Sequence, residues 1–194
     1  MKFKSMVLSA ALLVFVAGAA HASGNWLGVT GGAGVPTGDY GDVASMGWQF
    51  GVVGVHMVDE QFGIGADLGY HMWNGSDDAN AAAELAFGPG SEIKWSAVQG
   101  TAHAIYAIPT QGTVSPYLRG GLGLYNVTSK LETTGSDVSD SQSKFGFNLG
   151  AGMNFASTGK ARWGLVGQYH IVPVEGSSVD FMTLGVNVMW GVGN

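Results

Sequence analysis

Residues 62–73, FGIGADLGYHMW, alternate apolar side chains with glycine or polar ones. One parity set is continuously apolar, and the other holds three glycines together with Asp67, His71 and Trp73. Because successive side chains of a strand point to opposite faces, this period of two predicts a β-strand with two chemically different faces.

The same alternation recurs along the chain and predicts eight strands. They lie at about residues 25–35, 46–57, 62–73, 93–108, 116–128, 143–155, 163–171 and 180–190. The second is less regular, because Val53 and Val55 fall on its polar face. Long loops are predicted at 36–45, 74–92, 129–142 and 172–179, and short turns at 58–61, 109–114 and 156–160. Long and short connections therefore alternate, which is typical of outer-membrane barrels.

The first 22 residues have the pattern of a secretory signal peptide. Lys2 and Lys4 precede an apolar run, residues 6–19, and Ala20–Ala22 (AHA) forms a small-residue cleavage site. The run is too short for a membrane helix, and a cleavage site follows it. We expect cleavage after Ala22, which leaves residues 23–194 as one barrel domain.

Composition excludes several classes of protein. Charged residues make up only 11% of the chain, against about 25% in a typical soluble domain. Cysteine is absent, so the chain has neither disulfides nor a thiolate metal site. A net charge of -6 offers no basic surface for nucleic acid.

Eight two-faced strands behind a secretory signal predict an all-β fold, an eight-stranded antiparallel up-and-down transmembrane β-barrel. Lipid tolerates no unpaired strand edge, so such strands must close into a barrel with their apolar faces outward. The alternative is a secreted soluble barrel that binds a small apolar ligand. That alternative needs a bulky apolar interior, which a glycine-rich second face fits less well.

Two segments, PYLRGGLGLY at 116–125 and LGVNVMW at 184–190, resemble the small eight-stranded outer-membrane barrels, the OmpA/OmpX/OmpW-type and opacity-porin-like families. The resemblance implies a monomer in the cell outer membrane of a Gram-negative bacterium, in contact with membrane lipid and lipopolysaccharide. It also implies recognition of the C-terminal strand by the barrel assembly machinery. Family members usually end on an aromatic residue, whereas four residues follow Trp190 here.

The polar faces predict a lumen lined by hydrogen-bonding side chains. The lumen candidates are Asp67, His71, Gln99, His103, Arg119, Tyr125, Lys144, Asn148, Gln168, His170 and Asn187. Buried charges require partners, so we expect Arg119 and Lys144 to pair with Asp67 and neighbouring groups across the lumen. Such a lumen is either a static hydrogen-bonded plug or a narrow channel for small solutes.

Aromatic residues fall near the predicted strand ends, where Trp and Tyr belong at a membrane–water interface. The interface candidates are Trp48, Tyr70, Trp95, Tyr106, Phe155, Trp163, Tyr169 and Trp190.

Acidic residues gather in the four predicted long loops. These are Asp39, Asp42, Asp77, Asp78, Glu84, Glu92, Glu132, Asp137, Asp140, Glu175 and Asp180, with Lys130 as the base among them. The carboxylates form either a solvated surface or a set of Ca²⁺ or Mg²⁺ bridges to anionic lipopolysaccharide.

These features predict a structural or adhesin-like role at the cell surface, with narrow solute passage as the alternative. A serine-based lipid hydrolase would need His170 and Glu175 to activate Ser177 or Ser178. The sequence contains no H-E-x-x-H, Walker A or G-x-S-x-G motif, and we expect neither an enzyme nor a cofactor.

Overall fold

The computed structural model describes residues 24–155 and 161–192. The predicted signal peptide with its cleavage site and the predicted turn at 156–160 lie outside these residues. All eight predicted strands are present, and each pairs antiparallel with its neighbours. Strand β8 pairs with β1 along Asn25–Thr37, which closes the barrel. The elements are β1 (Asn25–Thr37), α1 (Asp39–Val43), β2 (Gly47–Met57), β3 (Phe62–Asn74), α2 (Asp77–Phe87), β4 (Glu92–Ala107), β5 (Val114–Glu132), β6 (Val138–Phe155), β7 (Ala161–Val174) and β8 (Ser177–Val192).

The outer surface of the barrel is apolar, as the alternation predicts. Trp48 and Leu149 are 68% and 69% exposed, and large apolar side chains from every strand join them. The interior holds the polar set, with Gln49, Asp67 and His103 buried. A soluble barrel has the opposite arrangement, so this surface requires an apolar solvent such as lipid.

Inward-facing glycines make room for the large side chains of the lumen. At Gly146 an added Cβ would lie 2.9 Å from the ring of Tyr125 and 2.8 Å from the carbonyl oxygen of Ile171. Only glycine leaves space there, since interiors are closely packed. The small face of the alternation therefore reflects the narrow bore of an eight-stranded barrel.

Two predicted loops are wrong. Strand β5 continues to Glu132 and β6 begins at Val138, so most of residues 129–142 are paired strand. Only Glu175 and Gly176 separate β7 from β8, although 172–179 was predicted as a loop. We call the added paired residues, 129–132 of β5 and 138–142 of β6, the β5–β6 extension. Its outward-facing side chains are polar, so the apolar alternation that marks the other strands is absent there. At the β7–β8 turn, Gly176 with φ of 80° permits a two-residue hairpin.

The other two predicted loops contain the helices. The Ser76 hydroxyl caps α2 by accepting a hydrogen bond from the Ala79 amide at 3.2 Å, and the helix stops before Gly88 with φ of 102°. Within the described residues, neither helix is long and apolar enough to span a membrane. We call the end of the barrel that carries α1 and α2 the helical end, and the opposite end, which holds the 58–61 and 108–113 connections, the turn end.

The predicted alternation of long and short connections holds only in part. The connections that carry α1 and α2 are long, whereas the other two at the helical end are residues 133–137 and 175–176. The connection at 108–113 on the turn end is longer than either of these. The helices, rather than uniformly long loops, distinguish the two ends of the barrel.

Candidate functional site: the lumen and its two ends

An aromatic plug closes the lumen at the helical end. Tyr40 of α1 lies edge-on to Trp73 and Trp95, with ring centroids 5.6 Å apart in each pair. Beneath it Phe181 is fully buried and lies 4.9 Å from Trp73. Val172 is also fully buried in this cluster, and burial raises the pKa of Tyr40 well above its usual value. The described residues therefore leave no open passage at this end.

A hydrogen-bonded layer follows directly below the plug. The Tyr125 hydroxyl and His170 Nδ1 are 3.0 Å apart, and Asn148 Nδ2 donates to the same hydroxyl at 3.1 Å. The other ring nitrogen of His170 lies 3.2 Å from the Thr183 hydroxyl. His71 Nε2 is 3.0 Å from Gln99 Oε1. The contact between Tyr125 and His170 joins the non-adjacent strands β5 and β7, and the other contacts join neighbouring strands. Together they hold the side chains of this layer in one arrangement.

An ion cluster occupies the next layer toward the turn end. Asp67 Oδ2 accepts hydrogen bonds from Arg119 Nη2 and, at 3.0 Å, from the Thr101 hydroxyl. His103 Nδ1 lies 2.9 Å from the same oxygen. Asp67 and Arg119 are 8% and 6% exposed, so this charge pair is buried and neutral overall. The expected pairing of Arg119 with Asp67 is present in this layer.

Most lumen candidates lie inside the barrel. Asp67, His71, Gln99, His103, Arg119, Tyr125, Asn148, His170 and Asn187 are buried, and Gln168 and Lys144 are half-buried. The expected pairing of Lys144 with Asp67 is wrong, because Lys144 lies opposite Tyr125 in the β5–β6 register, closer to the helical end. It makes no ion pair with any residue of 24–155 or 161–192.

Sequence reasoning missed several lumen residues. Tyr40 was placed in a loop, and Tyr117 and Arg162 were not recognised as inward-facing. Strand parity would have identified Tyr117, which shares the face of Arg119. No local pattern reports that Tyr40 enters the barrel mouth. The irregularity at Val53 and Val55 has a structural cause, because both pack inward against Met189 in a small apolar cluster near the turn end.

The aromatics on the outer surface form two groups. Tyr106, Phe155, Trp163 and Trp190 lie near the turn end, and Trp48, Tyr70 and Tyr169 lie closer to the helical end. The Phe155 and Trp163 rings stack at 4.2 Å. Trp95 is misassigned as an interface residue, since its ring points inward and packs against Tyr40. Its parity matches the buried Ala97, which explains the inward position.

The helical end carries the predicted acids, and two lysines neutralise some of them. Lys130 and Lys94 both donate hydrogen bonds to Glu132, which lowers the pKa of that carboxyl to about 2. Lys94 also contacts Glu92, and Lys130 contacts Asp137. The part of the chain that the structure describes contains no group of three His, Asp or Glu side chains that could hold a metal ion.

The residues of the possible hydrolase site do not come together. His170 is buried in the lumen and bonded to Tyr125 and Thr183, whereas Glu175 and Ser177 are exposed at the β7–β8 turn. In the β7–β8 register His170 pairs with Phe181, several residues away from the turn. A base must lie within hydrogen-bond reach of the serine that it activates.

A family model described as an outer membrane protein beta-barrel domain matches residues 8–191. No curated protein matches the sequence significantly.

Several solved structures have a similar fold. Neisserial surface protein A is 17% identical, with 88% of this chain and 98% of that chain covered and a TM-score of 0.61. Ail, the attachment invasion locus protein of Yersinia pestis, was solved in complex with the heparin analogue sucrose octasulfate; it is 15% identical, with 87% and 100% covered and a TM-score of 0.56. A major outer membrane protein from Thermus thermophilus is 12% identical, with 87% and 99% covered and a TM-score of 0.56. At these identities the likeness concerns the fold.

Proposed function

Because the chain belongs to the family of outer membrane protein β-barrel domains, we propose that it acts at the cell surface as a non-catalytic interaction protein, with the barrel as a closed anchor. In such barrels the short turns face the periplasm and the more elaborate connections face outward. The helical end is then the external surface. The observation that carries the proposal is the exposed apolar tip of α2, where Leu85 is 91% and Phe87 60% exposed.

Helix α2 is held firmly enough to present that tip as a defined surface. The Ser76 hydroxyl donates to the Asp42 carbonyl at 2.9 Å, which ties the loop of α2 to the loop of α1. Asn80 Oδ1 accepts the Ile93 amide at 2.9 Å, which ties the helix to the start of β4. A surface ordered before binding loses less conformational entropy when a partner docks.

The charges around the tip define the chemistry of the partner. Asp77, Asp78 and Glu84 lie on α2 itself, and Asp39 and Asp42 lie on the adjacent α1. None of these five makes an ion pair with a described residue. An acidic surface repels polyanions, so the sulfated ligand found with Ail is a poor model here. We infer a partner that combines basic groups with an apolar patch.

Binding of a basic amphipathic peptide to the barrel in lipid nanodiscs tests this function. We expect saturable binding that weakens as salt is raised, and no binding of heparin. The double variant Leu85→Ser/Phe87→Ser should reduce peptide affinity at least tenfold, whereas Val58→Ser at the turn end should leave it unchanged. Equal affinities for all three proteins, or tighter binding of heparin than of the peptide, would refute the proposal.

The aromatic plug argues against the alternative of a narrow channel. A permeating ion would have to pass the buried Tyr40–Trp73–Phe181 contacts and then the Asp67–Arg119 pair. Planar-bilayer recording of the wild-type barrel should therefore show no stable conductance steps. Regular steps would restore the channel as the primary function.

Lipid contacts complete the proposed setting. On β5 the outward face changes from Leu122 and Leu124 to Asn126, Thr128 and Lys130 toward the helical end. We propose that this polar extension stands in the headgroup layer of lipopolysaccharide. The exposed Trp190 on β8 remains the expected contact for the assembly machinery.

A further inference from the structure

A cavity of about 480 Å³ extends through the lumen from the turn end past the ion cluster. Its lining includes Asp59 and Glu60 of the β2–β3 turn, and in the other direction it reaches His71 and His170 beneath the aromatic plug. The described residues therefore connect it with the turn end and close it at the helical end. Its size lies within the range of about 300–1,000 Å³ that is usual for small-molecule sites.

One wall of the cavity is apolar. Val53, Val55 and Met189 are buried side by side, and Trp26 and Met57 pack against them. Below the plug of the helical end, most other inward positions of the barrel are polar or glycine, so this cluster is a distinct apolar surface. This wall offers an apolar surface to a ligand that enters from the turn end.

Next to this wall, the cavity holds a cation that has no counter-charge among the described residues. Arg162 lies opposite Met189 in the strand register, and its guanidinium carbon is 3.5 Å from the centre of the Trp26 ring. Within residues 24–155 and 161–192 it makes no ion pair, and its buried Nε has no hydrogen-bond partner. Stacking on Trp26 occupies the face of the guanidinium and leaves its N–H edge free for a carboxylate.

The other charges of the cavity do not compensate Arg162. Asp67 is already bonded to Arg119, so that pair contributes no net charge. Asp59 and Glu60 are exposed at the rim, where water and salt screen them. The buried part of the lining thus carries one unbalanced positive charge, which favours an anion.

Amide and hydroxyl groups line the same cavity as Arg162. Asn187 Nδ2 donates to the Tyr117 hydroxyl at 3.4 Å, and Asn187 Oδ1 is buried without a partner. Asn154 and Gln168 line the same space, and each has a buried oxygen without a partner. These three unpartnered atoms are amide oxygens, which accept hydrogen bonds, so a carboxylate on Arg162 would reach them through bridging water.

We propose that this cavity, open to the periplasmic side, binds a small amphipathic carboxylate. The carboxylate lies on the N–H edge of Arg162, close to the amide of Asn187. The hydrocarbon chain lies along Val53, Val55 and Met189. At about 30 Å³ for each water-sized group, the space suits a ligand of roughly 10–16 non-hydrogen atoms. This inference is independent of the surface role proposed above, because the cavity and the α2 tip lie at opposite ends of the barrel.

Three probes that separate the two halves of the ligand test the proposal: octanoate, octan-1-ol and acetate. Each is titrated into the barrel in lipid nanodiscs, with empty nanodiscs as the blank, and binding is followed by NMR at the Trp26 indole N–H and the Asn187 side-chain amide. We expect saturable shifts with octanoate, and affinity at least tenfold weaker for octan-1-ol and for acetate. If octan-1-ol binds as tightly as octanoate, the site recognises only the hydrocarbon chain; if acetate does, it recognises only the anion. If no probe gives saturable shifts, the cavity does not bind these ligands. Each of these outcomes overturns the proposal.

Variants identify the groups that bind. Arg162→Gln should weaken octanoate binding at least tenfold and change that of octan-1-ol less than twofold, whereas Arg162→Lys should retain part of the octanoate affinity. Lys130→Gln removes a cation at the far end of the barrel and should have no effect on either probe. Each variant is first checked for the mobility shift between heated and unheated samples in SDS gels, which reports a closed barrel. A folded Arg162→Gln that binds octanoate as tightly as the wild type would contradict the assignment.

Discussion

Replacing Arg119 by methionine tests how far the barrel depends on its buried ion cluster. Methionine keeps an unbranched side chain of similar length and removes the charge. Asp67, 8% exposed, then retains only the Thr101 hydroxyl and His103 as hydrogen-bond partners. The substitution leaves a carboxylate buried in the lumen without its guanidinium.

The structure allows the size of the effect to be worked out. Removing one partner of a buried charge pair generally costs about 3–5 kcal/mol, because the other charge stays buried. The contacts of the Thr101 hydroxyl and the His103 ring with Asp67 are present before and after the substitution, so the carboxylate is not left wholly without polar partners. We therefore expect Arg119→Met to lower the free energy of unfolding by about 3 kcal/mol, at the lower end of the range.

Equilibrium unfolding in urea, followed by tryptophan fluorescence of the barrel folded into lipid vesicles, measures the change. The matched control is Arg119→Met combined with Asp67→Asn, which removes both charges and should be more stable than the single Arg119→Met variant. A double-mutant cycle should give a coupling of at least about 2 kcal/mol between the two positions. A loss below about 1 kcal/mol for Arg119→Met, with no coupling, would refute the reasoning.

Three further perturbations test the plug, the packing and the charged extension. Tyr40→Ala should speed hydrogen exchange of the Trp73 indole N–H, which is bonded to a carbonyl beneath it; an unchanged rate would show that the ring does not seal the lumen. Gly146→Val should destabilise the barrel by about 1–3 kcal/mol through overpacking, whereas Gly135→Val, with open space around it, should be neutral in the same urea assay. The folded-state pKa of Glu132 is lowered to about 2, so its ion pairs stabilise the folded β5–β6 tip fully above a pH of about 4.5. As the pH falls toward 2, Glu132 is protonated and the amides of the tip should lose protection from hydrogen exchange. Amide protection factors measure this loss, and Glu132→Gln should abolish the pH dependence.

The parity of apolar and small residues was enough to predict eight strands and which face of each meets lipid. In β3 and β6 the alternation is nearly unbroken, and the polar residues of those faces lie inside the barrel. The prediction succeeds there because lipid demands a continuous apolar surface. It failed at residues 129–132 and 138–142, where the outward side chains of Lys130, Ser139 and Ser141 are polar and give no apolar alternation.

The contacts inside the lumen depended on the tertiary structure more than the strand pattern did. Sequence parity placed Asp67, Arg119 and Lys144 inside and predicted that both cations pair, but the register across β3 to β6 was needed to show that Arg119 reaches Asp67 and Lys144 does not. Tyr40 gave no periodic signal, since it reaches the barrel mouth from a helix of five residues.

The sequence by itself therefore determined the class of fold, the number of strands and the solvent of each face, because these follow from a period of two that is local to each strand. Only the tertiary structure decided that the lumen is sealed at one end by Tyr40 and Trp73. It likewise decided that, among the described residues, the cavity reaches the other end beside Arg162 and Trp26. Both features bring together side chains from strands far apart in the chain, and the shear and closure of the barrel set their distances.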